Sequence, residues 1–114
     1  MDECIFCKIV KKEIPSTIYL ENDKVIAIKD INPVAPVHVL IIPKEHIENV
    51  KDINKDNGQI LVDVHLAANK VADELGISQK GYRLITNVGK DGGQTVFHLH
   101  YHLIGGMEMG EKLI

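Results

Sequence analysis

Residues 98–104 read HLHYHLI, three histidines at every second position with apolar residues between and after them. A β-strand points successive side chains to opposite faces, so His98, His100 and His102 project from one side and Leu99, Tyr101 and Leu103 from the other. The stretch predicts a strand with one packed face and one polar face. Three of the chain's six histidines stand here, with imidazoles about 7 Å apart along the strand. That spacing lets them line one ligand together or be bridged by a phosphate.

Working outward, the strand is expected to span VFHLHYHLI, residues 96–104. A glycine-containing loop, GKDGGQT, separates it from another β-rich run, GYRLITNV, residues 81–88. Before that run, from Asn54 to Leu75, Ile60, Leu61, Val64, Ala67, Ala68, Val71, Ala72 and Leu75 recur at steps of three and four, which predicts a long helix with one buried face. Gly76 stops it as a C′ glycine does. HVLIIPK, from His38, reads as a strand entered through Pro33 and Pro36. TIYLEN and KVIAIKD read as a hairpin turning at Asn22-Asp23. At the start, CIFCKIVKKE, residues 4–13, places Ile5, Ile9 and Val10 at helical spacing, and Ile14-Pro15 ends that pattern. Helix, three strands, helix, two strands is the order of an α+β domain: a largely antiparallel five-stranded sheet with one long and one short helix.

No repeat, low-complexity segment or linker interrupts the 114 residues, so a single domain, 1–114, is expected. Tryptophan is absent and aromatics are 4% of the chain, so the core is aliphatic. The formal net charge is -3, from 13 basic and 16 acidic residues, interspersed. This is no footprint for nucleic acid, and a small ligand is the better expectation. With neither a signal-peptide pattern nor an apolar run long enough to span a bilayer, no membrane partner and a cytoplasmic location are expected, with both cysteines reduced.

One isolated histidine on a strand is usually a solvated or hydrogen-bonded residue. Three in alternation directly after a Gly-Gly-Gln-Thr loop point to chemistry instead. Near neutral pH one ring can attack as a neutral nucleophile while its neighbours donate hydrogen bonds to phosphate oxygens. Gly92-Gly93 lets backbone N–H groups approach an anion where a Cβ would clash. Asp30, followed by Ile-Asn-Pro, has an alternative use as the start of a turn. Cys4-x-x-Cys7 is half of a zinc site by spacing and is equally consistent with a redox pair or two packed thiols. His46, three residues past Pro43, and His98 are candidates for the other half. His65, inside the helix pattern, has no assigned role.

HLHYHLI matches the signature of the histidine-triad (HIT) family, His-φ-His-φ-His-φ-φ with φ apolar. CIFCKIVKKEIP, IKDINPVAPVHVLIIPKEHI and LITNVGKDGGQTVFHLHYHLIGG resemble, in order, blocks of that family's nucleotide-binding, phosphoramidase-like branch. The resemblance implies a two-layer HIT-like fold and a hydrolase that cleaves P–N bonds of purine nucleoside monophosphate derivatives. It makes His100 the nucleophile that forms a transient nucleotidyl-histidine. His102 and His38 would contact phosphate or support the nucleophile, and Thr95 would help protonate the leaving group. Asn87, Gly93 and Gln94 fall on the phosphate side, and Asp30 takes the ribose hydroxyls. Ile5, Phe6, Ile14, Ile28 and Ile31 match the walls around the purine. The zinc-bearing type of the family implies one structural Zn²⁺ held by Cys4, Cys7, His46 and His98, and the family also implies a homodimer. Its other readings are a dinucleoside polyphosphate hydrolase, a nucleotidyl transferase, or a purine nucleotide-binding regulatory partner. The tail GGMEMGEKLI lacks the aromatic segment of some relatives, so a leaving-group pocket built from that segment is expected to be missing or different.

Overall fold

The computed structural model describes residues 4–111; the end of the GGMEMGEKLI tail lies outside them. The chain runs α1 (Ile5–Val10), β1 (Ile18–Glu21), β2 (Val25–Lys29), β3 (Val37–Pro43), a 3₁₀ turn (Val50–Asp52), α2 (Gln59–Glu74), β4 (Tyr82–Ile85) and β5 (Tyr101–Gly105). The five strands form one sheet in the order β1-β2-β3-β5-β4, and every neighbouring pair is antiparallel. This is the expected α+β architecture. No helix among the described residues is long and apolar enough to cross a membrane.

Side-chain alternation divides the sheet's two faces between two apolar clusters. On one face Val25, Ala27, Val39, Ile41, Tyr101 and Leu103 pack against Val64, Ala67, Ala68, Val71 and Ala72 of α2. The alanines let the helix lie close, and Val64, Ala68, Val71 and Ala72 are fully buried. On the other face Ile26, Ile28, Leu40 and Ile42 pack under Phe6 and Ile9 of α1. Register carries the histidines onto this second face: His102 lies opposite Leu40, and His38 opposite Ile104. A one-residue slip would exchange the two faces, so the aliphatic core against α2 also fixes where the histidines point.

β4 stops at Ile85 rather than Val88, and three further boundaries differ from the sequence expectation. The last strand begins at Tyr101 rather than at residue 96. His98 and His100 use backbone carbonyls as partners for their rings, and Leu99 N–H donates to Ile47 O at 2.7 Å, so the approach to the strand is held by other contacts than the ladder. The alternation survives nonetheless, with Leu99 in the α2 cluster and His98 and His100 buried apart from it. α1 ends at Val10, because Glu13 N–H bonds Lys8 O and Lys12 N–H bonds Ile9 O, with Lys12 at φ 65°. That is a Schellman closure made without glycine. α2 begins at Gln59 rather than Asn54: the Asn54 side chain accepts from the N–H groups of Asp56 and Asn57, and this local bonding competes with helix. Its far end is as expected, with Gly76 at φ 75°.

Candidate active site

The polar groups around β3 and β5 fix the protonation of each histidine in turn. Val34 N–H donates to His38 Nδ1 at 3.1 Å, so that nitrogen presents its lone pair and the neutral ring carries its proton on Nε2. His38 Nε2 lies 2.9 Å from His102 Nδ1 and 3.3 Å from Asp30 Oδ2. His102 Nδ1 therefore accepts, and the proton of its neutral ring sits on Nε2. His100 has the opposite tautomer. Its Nδ1 is 2.8 Å from the His98 carbonyl, which can only accept, so Nε2 keeps a lone pair.

Burial is the first cause that holds His100 below the ordinary imidazole range, opposed by the hydrogen bond to His98 and by the Asp30 charge. His102 is lowered by burial too, then by the neighbouring His100 and His38, against Asp30. Both are neutral at pH 7. The two rings stand 5.2 Å apart between centroids. One thus offers a nucleophilic nitrogen and the other an N–H donor, the pairing that attack on a phosphoryl centre requires.

Beside them lies a cleft of about 720 Å³ whose lining includes Ile5, Phe6, Ile14, Ile28, Ile31 and Asp30. The structure gathers the five expected apolar residues and the carboxylate into one concavity. Its connection to the histidines is Phe6, whose ring meets His100 edge-on at 4.9 Å. Ile31 is 90% exposed, a wall with its outer side open among the described residues. Asp30 serves the turn as well: Oδ1 accepts from Asn32 N–H at 2.7 Å while Oδ2 faces His38. A smaller recess of about 170 Å³ is lined by Val34, His38, Ile85, Asn87, His102 and Ile104, which sets Asn87 beside His102.

The glycine loop departs from expectation. Gly93 has φ 84°, and its N–H donates to Lys90 O at 3.1 Å, so that donor is already engaged. Gly92 is needed sterically, since a Cβ there would come within 2.4 Å of Val88 O. The Gln94 side chain is buried with every hydrogen-bonding position filled. It donates to Glu48 O and Val96 O and accepts from Asn49 Nδ2 and Gly89 N–H. Nothing remains for a ligand, and the residue fastens the loop to the segment after β3. Thr95 is exposed.

Cys4, Cys7, His46 and His98 come together with their ligating atoms all within 4.8 Å of one another. Cys4 Sγ is 3.4 Å and Cys7 Sγ 3.6 Å from His98 Nδ1, and Cys7 Sγ is 3.2 Å from His46 Nδ1. A tetrahedral ion with M–S near 2.3 Å and M–N near 2.0–2.1 Å places neighbouring S and N ligands about 3.5 Å apart. His98 Nε2 donates to Pro43 O at 2.8 Å, leaving Nδ1 as the lone pair toward the thiols, and burial holds the ring neutral. A ligating histidine needs that outer hydrogen bond. The donor set therefore fits a metal ion; both cysteines are free of disulfide. Asp30, His38 and His102 form a second group of compatible spacing. There the Val34 bond already occupies the His38 lone pair, and the cluster works as a hydrogen-bond relay.

Sequence reasoning missed Val34 N–H, Pro43 O, Asn49 and Thr86, whose hydroxyl donates to His100 O at 2.8 Å. Two are backbone groups that any residue supplies, so no side-chain pattern announces them. His65 lies on α2 against Tyr101, on the sheet's other face.

The family model described as "Scavenger mRNA decapping enzyme C-term binding" matches residues 3–113. The chain is 46% identical over 112 residues to a purine nucleoside phosphoramidase of Escherichia coli K12, covering 98% of this chain and 94% of the relative. Among solved structures, a HIT family hydrolase from Clostridium thermocellum superposes with a TM-score of 0.98 at 70% identity, covering 100% of this chain and 99% of that one. A histidine triad protein from Clostridium difficile gives 0.94 at 48% identity, covering 99% and 97%. With the alternating histidines on the sheet face opposite α2 and near-complete overlap with these relatives, the chain belongs to the histidine-triad (HIT) family.

Proposed function

We propose that this chain, a single domain of residues 1–114, hydrolyses purine nucleoside phosphoramidates through a nucleotidyl-histidine on His100. The observation that carries the reading is the tautomer pair: a buried neutral His100 with its Nε2 lone pair free, beside His102 with an Nε2–H donor. The name of the E. coli relative supports the substrate class.

His100 Nε2 attacks the α-phosphorus and the P–N bond breaks. His102 Nε2–H stabilises charge on a phosphoryl oxygen, supported through His38. The exposed Thr95 hydroxyl relays a proton to the leaving amine, and Asn87 flanks the phosphate, while Gly93 and Gln94 shape the loop that carries Thr95. Water then displaces His100, so that over the cycle phosphorus gains OH and the amine gains H. The cleft between Ile5, Phe6, Ile14, Ile28 and Ile31 takes the purine, and Asp30 the ribose hydroxyls.

Cys4, Cys7, His46 and His98 would hold one Zn²⁺, which supplies cross-linking rather than chemistry because four protein ligands leave no open position. Reduced thiols suit a cytoplasmic protein. A homodimer fits the position of β4 at an edge of the sheet, and light scattering measures it. Assaying adenosine 5′-phosphoramidate beside a diadenosine polyphosphate tests the function. Faster turnover of the phosphoramidate is the expected result, and preference for the polyphosphate overturns the reading.

A further inference from the structure

His100 lies just ahead of β5, where the sheet no longer holds the chain by regular pairing. The β4–β5 ladder ends at the pair Ile85–His102. One residue beyond β4, the Thr86 hydroxyl donates to the His100 carbonyl at 2.8 Å, adding one bond past the end of the ladder. The His100 ring has its own tether, Nδ1–H to the His98 carbonyl. These two contacts do different things. The ring bond selects which nitrogen is free, whereas the Thr86 bond fixes the peptide plane after Cα and with it the direction of the Cα–Cβ bond.

The neighbouring residue, Asn87, lines the recess beside His102. The same short segment after β4 thus carries a residue beside His102 and a brace on His100. Valine has the shape of threonine and donates no hydrogen bond.

We propose that Thr86 is a positioning residue for His100, holding its backbone so that Nε2 meets the reacting phosphorus in line. The inference rests on the reading of His100 as nucleophile. Thr86 itself touches no substrate, since its hydroxyl is committed to the carbonyl. Losing one hydrogen bond of this kind, with the small displacement that follows, should lower the rate of the chemical step about five- to tenfold.

The test uses the full-length chain as purified and compares Thr86→Val, Thr86→Ser and wild type. Hydrolysis of adenosine 5′-phosphoramidate gives kcat and KM, calorimetry gives AMP affinity, and ¹⁵N NMR of the imidazoles reports the His100 tautomer. T86V is expected to lose kcat by that factor with KM and AMP affinity within about twofold, and T86S to restore kcat. In T86V the His100 ring signals should broaden or shift while those of His65 stay in place. Should T86V fold poorly, Thr86→Ala removes the hydroxyl without the branch and carries the same comparison. A kcat equal to wild type in the hydroxyl-free variants, or a loss confined to KM, overturns the brace. Wild-type protein inactive on phosphoramidates overturns the nucleophile reading instead, and the NMR then decides the brace alone, with unchanged His100 signals rejecting it.

Discussion

The two faces of one sheet are stabilised in opposite ways. Against α2, thirteen buried residues share the packing, each touching several others, and no single contact decides the arrangement. Across the sheet, the histidines are placed by individual hydrogen bonds: Val34 N–H on His38, His38 on His102, the His98 carbonyl on His100 and Pro43 O on His98. Packing tolerates change in proportion to volume, whereas a directed polar contact is present or absent. Substitutions in the α2 cluster should therefore alter stability and leave chemistry intact, and substitutions of His38, His100 and His102 should do the reverse.

His100→Ala gives the strongest break. Turnover is expected to fall more than about a hundredfold while nucleotide binding and folding persist, because a covalent nucleophile is lost. Quenched mass spectrometry of wild type should show the nucleotidyl adduct on His100. Turnover above one-hundredth of wild type in pure variant would remove His100 from that role.

Leu103→Ala is the mirror experiment on β5 itself. Leu103 is fully buried against α2 and adjacent in sequence to His102. Truncation should cost about 2–5 kcal/mol of unfolding free energy, read by urea titration, with kcat per folded molecule unchanged. A large loss of kcat in the folded variant would show that the two faces are coupled through the strand.

The same contrast explains what was legible in the sequence. The α2 face follows from periodicity: Val64, Ala67, Ala68, Val71 and Ala72 at helical steps and Leu99, Tyr101 and Leu103 at alternate positions point inward as read. The His-x-His-x-His alternation told which side the imidazoles share, and the five apolar residues and Asp30 that the motif resemblance singled out line one cleft. The tautomers were not legible, since they depend on Val34 N–H, Pro43 O and the His98 carbonyl, backbone groups without a residue signature. The internal bonding of the Gln94 side chain was not legible for the same reason. A glutamine beside a phosphate loop and one buried in four internal hydrogen bonds have the same letter, and only the position of Glu48, Asn49 and Gly89 distinguishes them.

The Cys4-Cys7-His46-His98 cluster lies on the histidine face, where it ties α1, which caps that face, to the histidine segment through His98. Replacing Cys4 and Cys7 together by Ser should abolish bound zinc, measured by elemental analysis of chelator-free protein. It should lower the melting temperature by about 10 °C, roughly 2 kcal/mol for a chain of this size. Hydrogen exchange should rise first in α1 and only later in α2. Wild-type protein that is metal-free and fully stable would return His98 to the set of catalytic candidates.

The smallest expected effect concerns Asp30, which belongs to the polar face yet also holds a turn. Its Oδ1 accepts from Asn32 N–H and its Oδ2 faces His38 Nε2, and it borders the cleft. Asparagine can keep the turn through its carbonyl oxygen while losing the charge. If the carboxylate takes ribose hydroxyls, Asp30→Asn exchanges charged for neutral hydrogen bonds and should weaken AMP binding by about 1–1.4 kcal/mol, roughly five- to tenfold. Calorimetry with 2′,3′-dideoxy-AMP separates this from a general disturbance. Wild type should discriminate against the dideoxy ligand and the variant should discriminate less, since the partner of those hydroxyls is what has been weakened. Equal affinity of wild type for both nucleotides would remove Asp30 from ribose recognition and leave it the turn and the His38 contact, two structural duties on a face otherwise given to chemistry.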